Sequence, residues 1–172
     1  MWLDADMPAV TRLVLLCGTS FSGKSTVARI LAPSLSASIV SLDEINERRG
    51  LWGGDGIPVE EWMRTHELAS GEVRGLLASG ASVVVDDTSS PRFLRDGWRS
   101  LAAAAGTRFT LIYVDVDHAT IRRRRAANRL DPRRRDVSDA VLDQHLADFE
   151  PPAPDEDAVR LTSVDDLQYL AL

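Results

Sequence analysis

Residues 18–26 of the chain read GTSFSGKST, and the two glycines, the lysine and the hydroxyl residue in this stretch decide the fold. The spacing G-x-x-x-x-G-K-S is that of a loop whose backbone N–H groups surround phosphates while its lysine reaches the terminal phosphates. Lys24 is the only lysine among the 20 lysine and arginine residues. A compact ammonium can fold back into a tight anion site, which the planar guanidinium of arginine cannot do. The stretch therefore predicts a nucleoside triphosphate site.

The same spacing also arises by chance, so the segments on either side of it must show whether it is a phosphate-binding loop. Before the loop, residues 13–17 read LVLLC, an apolar run typical of a strand buried on both faces of a parallel sheet. After it, apolar residues recur at helical spacing over residues 25–35. A strand, a glycine-rich loop and a helix N-terminus in this order form one anion site. The residues predicted to bind the triphosphate are Gly18, Thr19, Ser20, Phe21, Ser22, Gly23, Lys24, Ser25 and Thr26.

The length and composition of the chain are those of one ordinary domain. Its 172 residues are 44% hydrophobic, and we predict a single domain over residues 1–172 that needs no obligate protein partner. The formal net charge of −6 argues against a protein that coats nucleic acid by bulk charge. No stretch approaches the ~20 apolar residues that span a bilayer, and we expect neither a signal peptide nor membrane binding. The only cysteine, Cys17, is interpreted as a small buried hydrophobe, and the lack of a cysteine pair favours the cytoplasm.

Apolar runs alternate with helical segments along the chain, which is the pattern of an α/β domain. Strands are predicted at residues 12–17, 38–42, 82–86, 108–114 and 158–161. Helices are predicted at residues 24–35, 59–78, 91–105, 118–129 and 138–149, with Gly80 and Gly106 ending two of them. We therefore expect a three-layer α/β fold with a mainly parallel five-stranded sheet. Residues 50–58 form either a flexible substrate flap or a long surface connection.

Acidic residues follow two of the predicted strands, at the sheet edge where ligands collect in open parallel sheets. A carboxylate beyond the strand that neighbours the loop can accept the proton of a hydroxyl as it attacks a γ-phosphoryl group, and we assign this role to Asp43. Its alternative role is a cap on a helix that begins near residue 45. Ser25 and either Asp86 or Asp87 are predicted to bind Mg²⁺, which prefers oxygen ligands. Alternatively, Asp86 and Asp87 cap a turn or are simply solvated in the loop after the strand.

Arginine is concentrated in residues 122–135, which read RRRRAANRLDPRRR. Arg125 and Arg129 are four residues apart and share one face of a helix, so that both can reach one anionic ligand. We predict a lid at about residues 118–136 in which these two arginines are catalytic, together with Lys24 and Asp43. The alternatives are a solvated helix paired with nearby acidic residues, or a local nucleic-acid surface. The nearby acidic residues are Asp115, Asp117 and Asp131.

Aromatic and histidine side chains give weaker signals. Trp52, Trp62 and Met63 form either a wall for an organic acceptor or part of the core. The histidines are at positions 66, 118 and 145, have no metal-ligand spacing and are interpreted as surface or core polar residues. Residues 151–157, which read PPAPDED, are predicted to be a stiff connection into the last strand.

Five of these segments together resemble the small P-loop kinases that include polynucleotide 5′-hydroxyl kinases and chloramphenicol phosphotransferase. The resemblance spans about residues 12–156 and rests on GTSFSGKST, SLDE at 41–44, VVVDDTSSPRF at 83–93, RRRRAANR at 122–129 and FEPPAPDE at 149–156. It implies a nucleoside-kinase-like P-loop fold with an arginine-rich helical lid, and ATP and Mg²⁺ as ligands. It also implies that Asp43 is the general base, and that Arg125 and Arg129 neutralise charge on the transferred phosphoryl group.

The chain departs from this family pattern at two positions. Polynucleotide kinases of this type have an arginine three residues after the base, where this chain has Asn46. The family's Asp-Thr-Asn sequence appears here as Asp87-Thr88-Ser89, which leaves the role of Ser89 open. The first departure makes a nucleic-acid 5′ end a less favoured substrate.

The sequence thus predicts an ATP-dependent phosphotransferase that moves the γ-phosphoryl group to a hydroxyl of an unidentified small-molecule or nucleoside-like acceptor. One alternative is a 5′-hydroxyl polynucleotide kinase, which would need a positive groove leading to Asp43. The other is a nucleotide-dependent switch that hydrolyses slowly, has no acceptor and does not need that carboxylate.

Overall fold

The computed structural model describes residues 11–51, 56–132 and 136–170. The elements in chain order are β1 (Arg12–Cys17), α1 (Lys24–Ser34), β2 (Ala37–Ser41), α2 (Leu42–Arg48), α3 (Val59–Ala78), β3 (Ser82–Asp86), α4 (Arg92–Ala104), β4 (Arg108–Val114), α5 (His118–Leu130), α6 (Asp139–Asp148) and β5 (Val159–Leu161). Short 3₁₀ helices cover Pro154–Glu156 and Val164–Tyr169. In the described ranges, no helix is long and apolar enough to cross a membrane.

Five strands in the described part of the chain form one sheet in the order β2-β3-β1-β4-β5, and every neighbouring pair is parallel. Residues 13–17 of the central strand β1 are completely buried, because β3 and β4 cover its edges and helices cover both faces. Cys17 lies in this run, as predicted, and burial raises the pKa of its thiol to about 12. The structure confirms the parallel sheet.

The alternation of side chains along β1 divides the core into two layers. Leu13 and Leu15 point to one face, where they meet α3 and α4 through residues such as Val73 and Trp98. Val14 and Leu16 point to the other face and pack on α1. The result is a three-layer α/β fold, as predicted.

Local periodicity located most of the elements correctly. The bounds of β1, β3, β4 and α3 match the prediction, and the other predicted strands and helices differ by one residue at one or both ends. Gly80 and Gly106 have φ angles of 82° and 63°, which confirms their role as helix ends that need a left-handed residue. Residues 52–55, which include Trp52 and the middle of the proposed flap, and residues 133–135 of the lid lie outside the described residues.

One helix near the sheet edge was predicted wrongly. Helix α2 begins at Leu42, immediately after β2, and not near residue 45. Its N-cap is Ser41, whose hydroxyl accepts a hydrogen bond from the backbone N–H of Glu44 at 3.4 Å. Asp43 therefore lies inside the first helical turn, and the interpretation that it caps the helix is wrong.

A buried ion pair joins α4 to the segment that precedes β5. Arg95 is completely buried, and its Nε and Nη2 donate to the two carboxylate oxygens of Glu156 at 2.7 and 2.8 Å. Its Nη1 donates to the backbone carbonyls of Ser89 and Glu150, both at 3.0 Å, and also contacts the Ser90 carbonyl. This one guanidinium therefore ties the loop after β3 to the proline-rich segment 149–156.

We expect Glu156→Gln to lower the free energy of unfolding by about 3 kcal/mol, because it leaves the buried Arg95 charge without its counter-charge. The hydrogen bond from Arg95 lowers the pKa of Glu156 below its usual 4.5, so the pair stabilises the fold above that pH. The difference between the two proteins should therefore shrink as the pH falls below about 4. Urea unfolding at pH 7 and at pH 3.5 measures both effects.

The matched control is Asp155→Asn, which breaks the exposed 2.8 Å ion pair between Arg92 and Asp155. Exposed pairs of this kind contribute about 1 kcal/mol or less. Equal losses of unfolding free energy in the two variants would show that the buried pair stabilises the fold no more than the exposed pair does.

Candidate functional site

The loop between β1 and α1 is a tight turn whose N-terminal residues are buried. Gly23 has a φ of 108° and leads directly into the N-terminus of α1. The ammonium of Lys24 folds back over the loop, and its Nζ donates to the carbonyls of Gly18 and Thr19, both at 2.9 Å. Successive loop N–H groups and a helix N-terminus form an anion-binding concavity. The lysine ammonium therefore lies against the first two residues of the loop, and its role in binding phosphates stays a prediction.

Gly18 is required by the close approach of two neighbouring strands. It has a φ of 152°, and its N–H donates to the Thr88 carbonyl at 3.2 Å. A Cβ atom at this position would lie 2.7 Å from the Val114 carbonyl oxygen and 2.9 Å from Ser22 Oγ. The loop is thus clamped between the segments that leave β3 and β4.

The two carboxylates at the end of β3, Asp86 and Asp87, have different partners. Asp86 is buried, and the Ser25 hydroxyl lies close enough to influence its titration. Burial raises the pKa of Asp86, while the nearby ammonium of Lys24 and the hydroxyl of Ser25 act in the opposite direction. Asp87 instead accepts hydrogen bonds from the N–H and the hydroxyl of Ser89, at 3.1 and 2.6 Å. The structure therefore places Asp86, and not Asp87, beside the loop.

Asp43 reaches the same edge from α2. The strand that neighbours β1 on this side is β3, so the expectation that β2 is adjacent to the loop strand is wrong. The register nevertheless brings the ends together, because Ser41 and Leu16 both pair with Asp86. The negative charge of Asp43 acts to raise the pKa of both Asp86 and His145, so Asp43 lies near both side chains. The loop lysine and two carboxylates thus converge at the carboxyl edge of the sheet.

The two predicted lid arginines bind carboxylates that follow α5. Arg125 is buried, and its Nε donates to Asp136 at 3.0 Å, while Nη1 pairs with Asp139 and Nη2 with the Val137 carbonyl. Arg129 Nε donates to Asp136 at 2.8 Å. The hydrogen bond from Arg125 lowers the pKa of Asp139, which favours the ionised carboxylate in this pair.

Two of the acidic neighbours proposed from the sequence have other partners. Asp117 caps α5, with its Oδ1 accepting from the N–H of Thr120 at 2.8 Å. Asp115 pairs with Arg160 of β5. The acidic partners of the lid helix therefore include residues from farther along the chain, beyond α5.

Among the described arginines of the lid, Arg124 contacts the loop directly, and the sequence did not indicate this role. Its Nη1 donates to the Phe21 carbonyl at 3.2 Å and to the Ser22 carbonyl. Nothing in the run of consecutive arginines distinguishes this position, because the contact joins residues 103 apart in the chain.

Phe21 joins the loop to the lid. Its side chain is buried against Ile121 of α5 and against Leu142 and Leu146 of α6. The same packing brings His145 over the loop, where its Nδ1 lies 3.4 Å from Ser20 Oγ. His145, interpreted from the sequence as a polar residue without a site role, therefore contacts the phosphate loop.

The remaining sequence-based candidates are farther from the loop contacts described above. His66 Nε2 lies 3.8 Å from Asp87, and the His66 and Trp98 rings are 6.3 Å apart. Met63 is 61% exposed and Trp62 is partly buried, so neither belongs to the fully buried core. The acceptor wall stays a prediction.

The parallel sheet order and the loop between β1 and α1 define a P-loop α/β domain of the kinase-like class. Residues 13–152 match the family model AAA_33, described as an AAA domain, and the chain belongs to this family. The resemblance to the small P-loop kinases is confirmed.

Among curated proteins, the chain is similar to "Protein KTI12 homolog" of Arabidopsis thaliana, with 33% identity over 118 residues. The match covers 64% of this chain and 38% of that relative, so the chain corresponds to less than half of the relative's length.

Solved structures share the fold over nearly the whole chain. The Mycobacterium tuberculosis APS kinase CysC, in complex with AMPPNP and APS, superposes with a TM-score of 0.68 at 23% identity, covering 94% of this chain and 95% of that one. Chaetomium thermophilum Kti12, in complex with ADP-AlF3, superposes with a TM-score of 0.68 at 16% identity, covering 87% and 88%. At these identities the likeness establishes the fold.

We expect Gly18→Ala to lower the free energy of unfolding by about 1–3 kcal/mol, because the new methyl group would press on the Val114 carbonyl at a strained φ. Gly97→Ala in α4 is the matched control, since a Cβ there meets no atom within 4 Å. The control should keep or slightly raise stability through helix propensity. Thermal unfolding of the two variants tests this, and a Gly18 variant as stable as wild type would contradict the clamped geometry.

Proposed function

We propose that the protein is an ATP-dependent phosphotransferase that moves the γ-phosphoryl group of ATP to a hydroxyl of a small-molecule or nucleoside-like acceptor. The observation that supports this proposal is the convergence of Lys24, Asp86 and Asp43 at the carboxyl edge of the sheet. Phosphoryl transfer asks the protein mainly to position the reactants and to offset their charge. A cation and two separate carboxylates beside a phosphate loop meet that need.

In this proposal the N–H groups of residues 18–26 hold the phosphates, and Lys24 exchanges its carbonyl contacts for β- and γ-phosphate oxygens. Asp43 accepts the proton of the acceptor hydroxyl. The hydroxyl oxygen then bonds to the γ-phosphorus, the bond from that phosphorus to the β–γ bridging oxygen breaks, and ADP leaves.

The donor set beside Lys24 fits Mg²⁺. The hydroxyl of Ser25 and the carboxylate of Asp86 are adjacent oxygen ligands. Within the part of the chain that the structure describes, no cluster of three or more His, Cys, Asp or Glu side chains could hold a metal by itself. This suits a cation that keeps several waters and binds together with phosphates. Bound there, Mg²⁺ would neutralise charge on the β- and γ-phosphates.

Arg125 and Arg129 are proposed to neutralise charge on the transferred group, as the family resemblance implies. To do so they must leave the carboxylates of Asp136 and Asp139, so their role requires a rearrangement within the lid. Arg124 needs no such change, because it already contacts the loop.

A nucleotide-dependent switch is the second candidate, and the contacts between the loop and the lid favour it. The contacts of Phe21, Arg124 and His145 would let α5 and α6 respond to a nucleotide in the loop. A switch would hydrolyse ATP slowly, without an acceptor, and would not need Asp43.

A 5′-hydroxyl polynucleotide kinase has less support. Asn46, which replaces the arginine of those enzymes, is buried and accepts a hydrogen bond from Thr65. The two arginines that follow are engaged within the protein, Arg48 with Glu72 and Arg49 with Glu61 and Thr65. Both arginines that follow Asn46 thus have protein partners, which gives no support to a role in binding a 5′ end.

We expect Asp43→Asn to bind ATP normally and to lose phosphoryl transfer by about 10²-fold or more, the usual contribution of a general base. Lys24→Ala should lose both activity and tight ATP binding. The assay is ATP consumption with Mg²⁺ across acceptors that include nucleosides, phenicol and aminoglycoside antibiotics, sugars and a 5′-hydroxyl oligonucleotide. Acceptor-independent hydrolysis that is equal in wild type and Asp43→Asn would contradict the kinase proposal and favour the switch.

We expect Asp86→Asn to raise the Mg²⁺ concentration needed for half-maximal activity by about tenfold, in the range found when groups that support a metal are lost. Asp87→Asn, the matched control, should change it by less than about twofold, because that carboxylate contacts Ser89 and His66. Magnesium titrations at saturating ATP compare the two variants. Equal shifts would contradict the assignment of the metal to Asp86.

A further inference from the structure

His145 is held over the phosphate loop by the side chains on either side of it in α6. Leu142 and Leu146 lie three residues before and one residue after it, on the same face of the helix, and both pack against Phe21 of the loop. The imidazole is half-buried, and its Nδ1 lies 3.4 Å from Ser20 Oγ. The packing thus gives the ring a defined position above the loop.

Charged groups from three helices act on this ring. Lys24 of α1 contributes positive charge, and Asp43 of α2 and Asp148 of α6 contribute negative charge. Arg124 of α5 contacts the neighbouring part of the loop. Because Lys24 is the residue that reaches β- and γ-phosphates, His145 lies at the terminal-phosphate end of the site.

We propose that His145 is a phosphate-binding residue that contacts the terminal end of the bound nucleotide as an imidazolium, so that nucleotide binding takes up a proton. The inference rests on the proposed triphosphate site, and it deepens that proposal by assigning a fourth cationic group beside Lys24, Arg124 and the helix N-terminus. His145 is the only member of this set whose charge can change near neutral pH.

The sign of the effect follows from the surroundings. Without nucleotide, burial and the charge of Lys24 lower the pKa of His145 below its usual 6.5, so the ring is neutral at pH 7. A bound polyphosphate pairs with Lys24 and adds negative charge beside the ring, and both changes favour the imidazolium. Nucleotide affinity should therefore fall as the pH rises through the pKa of His145 in the bound state.

Proton NMR of the histidine ring protons tests this directly, because the chain has three histidines and single His→Gln variants assign their signals. We expect the His145 signal to titrate below pH 6.5 in the free protein and at least about one pH unit higher with Mg²⁺ and AMPPNP bound. A titration midpoint that does not move on binding AMPPNP would overturn the proposal.

Calorimetric titration with AMPPNP gives the second measurement. Wild type should bind about three- to tenfold more weakly at pH 8 than at pH 6, since a pKa shift of one unit corresponds to a tenfold change in affinity. His145→Gln, which keeps a hydrogen-bonding group, should lose most of this dependence and equal wild type at pH 8. Protonation of the nucleotide itself contributes equally to all variants, so the difference between wild type and variant isolates His145.

His66→Gln is the matched control, because the contacts of His66 are with Asp87 and Trp98. It should keep the pH dependence of wild type. Equal pH dependence in wild type and His145→Gln would overturn the inference while leaving the triphosphate site intact. No binding of AMPPNP by wild type at any pH would overturn the proposed function, and the inference with it.

Discussion

The complete burial of residues 13–17 of β1, at the centre of a parallel sheet, is the constraint on which the rest of the structure depends. Its backbone pairs with β3 on one side and β4 on the other, and its side chains are covered on both faces. The chain can leave this strand only between the ends of its two neighbours, where Gly18 meets the Val114 carbonyl and bonds to Thr88. The ends of β3 and β4 therefore hold the phosphate loop in place, so the position of the loop depends on the packing of the whole sheet.

A second consequence is that loop and lid share one apolar cluster. Phe21 belongs to the loop by sequence but packs with α5 and α6, and Arg124 and His145 reach the loop from the same two helices. A ligand that moved the loop backbone would thus disturb the packing of the lid. A movement of the lid would likewise shift the side chains that contact the loop. Both a kinase and a nucleotide-dependent switch can use such coupling, since the fold alone does not determine function.

Charges at the site are separated by the partners that each group has. Asp86 and Asp87 are adjacent in the chain and both are largely buried, yet Asp86 lies beside Ser25 and Lys24 while Asp87 accepts hydrogen bonds from Ser89. The paired arginines of the lid show the same principle, because Arg125 is buried only together with the carboxylates that offset its charge. The Arg95–Glu156 pair is a second example, because both charges are buried together. It connects α4 to the segment before β5.

The sequence by itself determined the elements and the loop. Strands β1, β3 and β4 and helix α3 have the predicted bounds, and the GTSFSGKST loop lies between a buried strand and a helix as expected. These features are local, since they depend on periodicity and on glycine positions within a few residues. The tertiary structure decided which acidic residue faces Ser25, that β3 separates β2 from β1, and that Ser41 caps α2.

It also decided the contacts between Arg95 and Glu156, Arg124 and Phe21, and His145 and Ser20, which join residues 61, 103 and 125 positions apart. Such contacts leave no periodic signal, because they form only when packing of the sheet and helices brings distant side chains together.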